Sequence, residues 1–210
     1  MYDGTVTLYI GPDRKKMEMH RKLLASISPE LDKHVNNNMK EGIEGKIHFP
    51  EEGEDTLALF SEWAYTGSYA IVDDTPASQP LDPSKQPQPP ANADPWPRLR
   101  LHLQLYVFAD KFNVPTLKQL AKANFSREIN PVELTRGGDV SGLISVIEYA
   151  YDNLQDSDSV PKFLARYASW RLSLLRARDE FIQLISTHPE FAKELLATVT
   201  GLPSKQTLSV

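Results

Sequence analysis

The sequence predicts an α+β fold in which a small sheet, complete by Pro50, is capped by helices that then fill the chain to its C-terminus. Two patterns carry the prediction. Apolar residues alternate at period two through Val6, Leu8 and Ile10, through Met17 and Met19, and through Ile47 and Phe49, as strands with one buried face require. From Leu57 onward they recur three and four residues apart, the spacing of one helix face. With 40% apolar and 24% charged residues in a length of 210, the composition is ordinary for a globular protein and sufficient for one large domain or two small ones.

The first two strands join across Gly11-Pro12-Asp13 as a hairpin. At His20 the period changes, and Leu23, Leu24 and Ile27 share a helix face. Ser28-Pro29-Glu30 opens a second helix, because a serine hydroxyl caps free N–H groups and proline at the first helical position has no needed N–H to lose. The asparagines at positions 36 to 38 end it. After the strand at Ile47 and Phe49, the residues Leu57, Phe60, Trp63 and Ala64 form a helical stripe closed by Gly67.

Half of the 16 prolines lie between Val72 and Arg98, in a stretch with too few apolar residues to offset its ordering entropy. Residues 72–98 are therefore expected to be a disordered insertion, a split into two domains at this loop being the rival reading. Beyond it Leu101, Leu105, Phe108, Ala109 and Phe112 mark a buried helix, although Arg98 to Leu103 also alternates at period two. Leu117, Leu120, Ala121 and Phe125 mark the next. Three further helices follow from Leu143, Ile144, Ile147 and Ala150; from Phe163, Tyr167, Trp170 and Leu174; and from Phe181, Leu184 and Ile185. A last one starts near Thr187, which has capping-box spacing to Glu190. The expected organisation is a domain over residues 1–125, an all-α extension over 126–200 and a flexible tail over 201–210.

Composition narrows the function. An excess of 28 acidic over 23 basic residues leaves a net charge of -5, which supplies no general affinity for nucleic acid. With no cysteine there is no disulfide framework, thiolate metal site or cysteine nucleophile. No run approaches the roughly 18 apolar residues of a membrane span, and Met1-Tyr2-Asp3-Gly4 lacks signal-peptide character, so a soluble protein of the cytoplasm or nucleus is expected. The five histidines, His20, His34, His48, His102 and His188, are scattered without metal-ligand spacing. There is no phosphate-cradling glycine loop and no Gly-x-Ser-x-Gly elbow. No catalytic, cofactor-binding or metal-binding residue is assigned, and an enzyme is not expected.

The run Thr5-Val6-Thr7-Leu8, His20-Arg21-Lys22-Leu23-Leu24, Ser28-Pro29-Glu30-Leu31, Glu41, Ile47-His48-Phe49-Pro50 and Tyr65-Thr66-Gly67, resuming as Ala109-Asp110-Lys111-Phe112-Asn113-Val114-Pro115 and Leu117, resembles the BTB/POZ domain family in its short fungal form. The resemblance spans the first 125 residues. It implies a small sheet capped by helical hairpins, a single domain across the proline-rich loop, and a protein-protein interaction module. It also implies that His20 is the buried histidine that orients the first helix. The chain departs from the family's dimeric members, in which an extra N-terminal helix and strand exchange between subunits; here four residues precede the first strand. Thr5 and Asp32 stand where those members carry an aspartate and a basic residue, so a swapped dimer is not expected, although other self-association is compatible with the sequence.

The resemblance singles out Met39 and Glu41 as partner-binding residues. In BTB adaptors of cullin-RING ubiquitin ligases, a hydrophobic-x-Glu element at this place packs its apolar residue against the cullin and adds a hydrogen bond from the glutamate. Met39-Lys40-Glu41 matches it, and methionine suits the part as a flexible apolar anchor. The alternative is a Met39 tucked under its own domain beside a solvated Glu41. The function implied is an adaptor presenting a partner to a cullin-RING ligase, against a self-associating structural or transcription-related scaffold without cullin binding. A second feature is Lys162, Arg166, Arg171, Arg176 and Arg178, with no acidic residue from Ser159 to Arg178. Because Phe163, Tyr167 and Trp170 have core spacing, the basic residues are expected to form a solvated face rather than a binding site.

Overall fold

The structure, a computed structural model, describes residues 4–36, 44–71, 94–132 and 140–198. It is mixed α+β, with three strands and ten helices among the described residues. The chain divides into two compact units that meet in sequence at Pro131 and Val132.

In the first unit, strands β1 (Thr5–Ile10) and β2 (Lys15–His20) pair antiparallel, and β3 (Lys46–Phe49) joins β1 in parallel, giving the order β2-β1-β3. The register sets Val6 beside Met19, and Leu8 beside both Met17 and Ile47. Val6, Leu8, Ile10, Met19, Ile47 and Phe49 are all buried, so the alternation in the sequence became one packed face. Helix α1 (Arg21–Ile27) is broken from α2 (Pro29–Val35) by the extended backbone of Ser28, whose hydroxyl accepts the Leu31 N–H at 3.1 Å. Helix α3 (Glu54–Thr66) ends on Gly67 in the left-handed conformation, φ 78°, with its N–H on the Trp63 carbonyl at 2.7 Å.

Helix α4 (Trp96–Lys111) corrects the far limit of the proline-rich insertion. It begins two residues before Arg98, because the Asp94 carboxylate accepts the Trp96 N–H and a proline in the first turn forfeits no hydrogen bond. Trp96, Leu99, Leu103 and Tyr106 are buried while Leu101 is half-buried, so helical spacing wins over the period-two alternation. The rest of the expected insertion, residues 72–93, and the expected tail, residues 201–210, lie outside the described residues. Asn113, at φ 51°, makes the left-handed turn into α5 (Pro115–Ile129); asparagine tolerates that conformation and Pro115 restarts the helix. Arg98 pairs with Glu128, and Asp110 with Lys118, so α4 and α5 run antiparallel. Phe49, Phe60, Phe108 and Phe112 tie the sheet to α3 and α4, with Phe108 4.8 Å from Phe60 and 4.6 Å from Phe112 between ring centres. Helix α5 continues past Phe125 to the fully buried Ile129, beyond the boundary read from the sequence.

The second unit is helical: α6 (Ser141–Asn153), α7 (Ser159–Trp170), the short α8 (Leu172–Leu175), α9 (Asp179–Thr187) and α10 (Pro189–Thr198). Leu143, Ile147, Leu164, Ala168, Phe181, Leu184 and Phe191 form its core. Two expectations fail here. Thr187 is the last residue of α9, where its hydroxyl sits on the Gln183 and Leu184 carbonyls instead of capping α10. Trp170 is 72% exposed, because α7 buries Val160, Leu164, Ala165, Tyr167 and Ala168 and turns Trp170 outward. No helix among the described residues is long and apolar enough to cross a membrane.

Candidate functional site

The sequence-derived site residues Met39 and Glu41 fall within 37–43, outside the described residues, but both rims of that segment are described. Helix α2 ends at Val35 with Asn36 as its cap, and the chain resumes at Glu44 and Gly45 before β3. Arg21, the first residue of α1, touches both sides. Its Nη1 donates to the Val35 carbonyl at 2.7 Å, and a Cβ on Gly45 would stand 3.2 Å from its Nη2. Gly45 has φ +66°, so glycine there answers both the backbone conformation and the close guanidinium. The Arg21 guanidinium thus binds the end of α2 and lies close against Gly45, where the described chain resumes.

His20 is exposed, contrary to its expected burial. Met19, its neighbour on β2, faces the core with 0% exposure, and strand parity sends His20 to the opposite side. Its Nδ1 instead meets the Tyr65 hydroxyl at 2.7 Å.

The buried histidine is His102, 2% exposed. The Tyr69 hydroxyl lies 2.8 Å from His102 Nδ1, and the Asn124 amide holds the same hydroxyl oxygen. Which of the two donates in the Tyr69–His102 hydrogen bond follows from the imidazole tautomer. Nε2 faces Glu128 Oε1 at 3.2 Å, off the line of a good hydrogen bond. Glu128 also accepts from Arg98 Nη2 at 3.1 Å, and Arg98 Nη1 donates to the Ile71 carbonyl at 3.0 Å. Burial pushes the Glu128 carboxyl up, but the contacts with His102 and Arg98 outweigh it and bring it down to about 2. Burial raises Tyr69 to about 12, against the Asn124 hydrogen bond and with the Glu128 charge.

A tyrosine, histidine and glutamate in this order have the connectivity of a proton relay. Their surroundings turn them to structural use, since a phenol held neutral and 6% exposed does not act as a nucleophile near neutral pH. What the network does is bind residues 69–71 to α4 and α5, fastening both ends of the chain that flanks the insertion. The sequence offered one signal for it, Arg98 and His102 four residues apart on the face of Leu99 and Leu103. Tyr69 and Glu128, far away in sequence, had none.

In the second unit His188, between α9 and α10, places Nε2 3.0 Å from Asp152 Oδ1 and Nδ1 2.9 Å from the Thr187 hydroxyl. Burial and the acidic neighbours Glu194, Asp156 and Glu190 hold the Tyr151 phenol well above its ordinary range. These contacts tie α6 to the α9–α10 turn. Among the described residues no group of histidine and carboxylate side chains has the arrangement of a metal site. No protein-family model and no curated protein sequence matches this chain.

Proposed function

We propose that this chain is a non-enzymatic interaction module of the BTB/POZ type, and that it presents a partner to a cullin-RING ubiquitin ligase through Met39 and Glu41. The observation that carries the proposal is the clasp formed by Arg21. Arg21 donates to the last carbonyl of α2 and lies close against Gly45 before β3, the two described flanks of the Met39-Lys40-Glu41 segment. The order of elements supports the same reading: a hairpin, two short helices split by Ser28-Pro29, a parallel third strand, a helix closed by glycine, and an antiparallel helix pair turned at Asn113. The polar clusters that offered acid-base chemistry are occupied in joining elements. The module's contribution to ubiquitination is positional, raising the local concentration of a substrate beside the ligase.

The test is calorimetric titration of the full chain with purified cullin N-terminal domains, alongside light scattering. A cullin complex weakened about tenfold by Met39→Ala and by Glu41→Ala supports the adaptor. Concentration-dependent dimers with no cullin binding establish the self-associating scaffold instead.

A further inference from the structure

We propose that the exposed face of α7 is a docking surface for an acidic peptide segment bearing an apolar side chain. Lys162, Arg166 and Trp170 stand at i, i+4 and i+8, all three exposed, and so form a line about 12 Å long on one side of the helix. Half-buried Phe163 lies beside it, and exposed Arg176 follows just past α8. Val160, Leu164 and Tyr167 fix the opposite side in the core, so the line cannot turn inward.

Two features of this face are unsatisfied in the chain itself. Among the described residues, Lys162, Arg166 and Arg176 form no ion pair. Lys162 and Arg166, like charges four apart, repel along the helix, and the sequence places no acidic residue from Ser159 to Arg178. Trp170 leaves most of its ring in water at 72% exposure, apolar area that a partner's side chain would cover. Tryptophan and arginine are also the residues that most often dominate binding energy at interfaces. Carboxylates on the partner answer the cations, and an apolar side chain answers the ring.

A nucleic acid shares the anionic chemistry but fits less well. Its affinity grows with the number of phosphates neutralised, whereas the unit also carries Glu148, Asp152, Asp156, Asp158, Asp179, Glu180, Glu190 and Glu194. The cations suffice for a short acidic segment and fall short of a backbone footprint. This surface stands apart from the cullin proposal, being on the other unit and measurable without a cullin.

The experiment is fluorescence anisotropy of the full chain with a labelled synthetic peptide in which glutamate alternates with leucine and phenylalanine. Its glutamine counterpart and an oligothymidine of equal charge serve as competitors. The acidic peptide should bind and weaken with added salt. Lys162→Glu with Arg166→Glu should reduce its affinity at least about tenfold, Trp170→Ala about tenfold, and Lys33→Glu on the first unit not at all. Because all three altered side chains of α7 are exposed, melting temperatures should stay unchanged. Absence of peptide binding, equal binding of the glutamine peptide, or affinity indifferent to the α7 substitutions would overturn the proposal. Tighter binding of the oligothymidine would assign the face to nucleic acid instead.

Discussion

Tyr69, His102, Glu128 and Arg98 show how single side chains decide local stability in this protein. The Tyr69 hydroxyl meets His102 Nδ1 and Arg98 pairs with Glu128, while His102 Nε2 has no good hydrogen bond, so deleting Tyr69 or Arg98 leaves one more polar group short of a partner. Tyr69→Phe should cost about 1 to 3 kcal/mol, and Arg98→Ala, which strands a half-buried carboxylate, about 1 to 3 kcal/mol; denaturant unfolding followed by circular dichroism measures both. The same cluster sets a pH dependence. The Glu128 carboxyl titrates near 4.5 when unfolded and at about 2 in the fold, so its stabilisation is fully present above pH 4.5 and is lost as pH falls through 2. Comparison of the wild type with Glu128→Gln over that window should show the wild type losing more stability, on the order of 1 to 2 kcal/mol once solvent screening of the half-buried carboxylate is allowed for. Tyr69 acts with opposite sign: its folded value is raised from 10 to about 12, and its contribution disappears as pH rises across that interval.

Among the elements, those whose signals are local were legible in the sequence. Val6, Leu8 and Ile10 alternate because a strand must bury one face, and Ser28-Pro29 and Gly67 mark helix ends through their own backbone chemistry. Helix α7 departs from its sequence reading for a physical reason: Phe163, Tyr167 and Trp170 form one helical stripe, while Val160, Leu164, Tyr167 and Ala168 form another beside it. The larger aromatic residues suggested the first. The fold buried the second, with Ala165 and Ala168 fully enclosed. Likewise, nothing in the sequence tells whether Thr187 turns forward to cap one helix or back to close another. The buried cluster was hidden because Tyr69 and Glu128 reach His102 only through tertiary structure, and the reading of Met39 and Glu41 rests on a family resemblance alone. At the Arg21 clasp, Gly45→Ala should destabilise the first unit by about 1 to 2 kcal/mol, from left-handed backbone strain alone, with further loss from the crowded guanidinium; thermal unfolding gives the value.

At the scale of the whole molecule, each unit encloses its own hydrophobic core, and the boundary at Pro131 makes a sharp forecast. A fragment ending at Pro131 keeps Glu128 and Ile129 and should unfold cooperatively, whereas one ending at Arg127 loses both the carboxylate of the buried cluster and a fully buried isoleucine. The shorter fragment should be less stable by at least about 3 kcal/mol, as comparative calorimetry of the two will show. Each proposed interaction surface lies on one unit alone, the Met39-Lys40-Glu41 segment on the first and the cationic tryptophan face on the second. The first surface bears the proposed function, and its decisive measurement is cullin affinity and melting temperature on the same proteins: wild type, Met39→Ala and Glu41→Ala. An adaptor binds a cullin, loses about tenfold in affinity with either substitution, and melts unchanged. A Met39→Ala protein destabilised by roughly 2 to 5 kcal/mol, with no cullin binding by the wild type, would contradict the adaptor function and return Met39 to the core of its own domain.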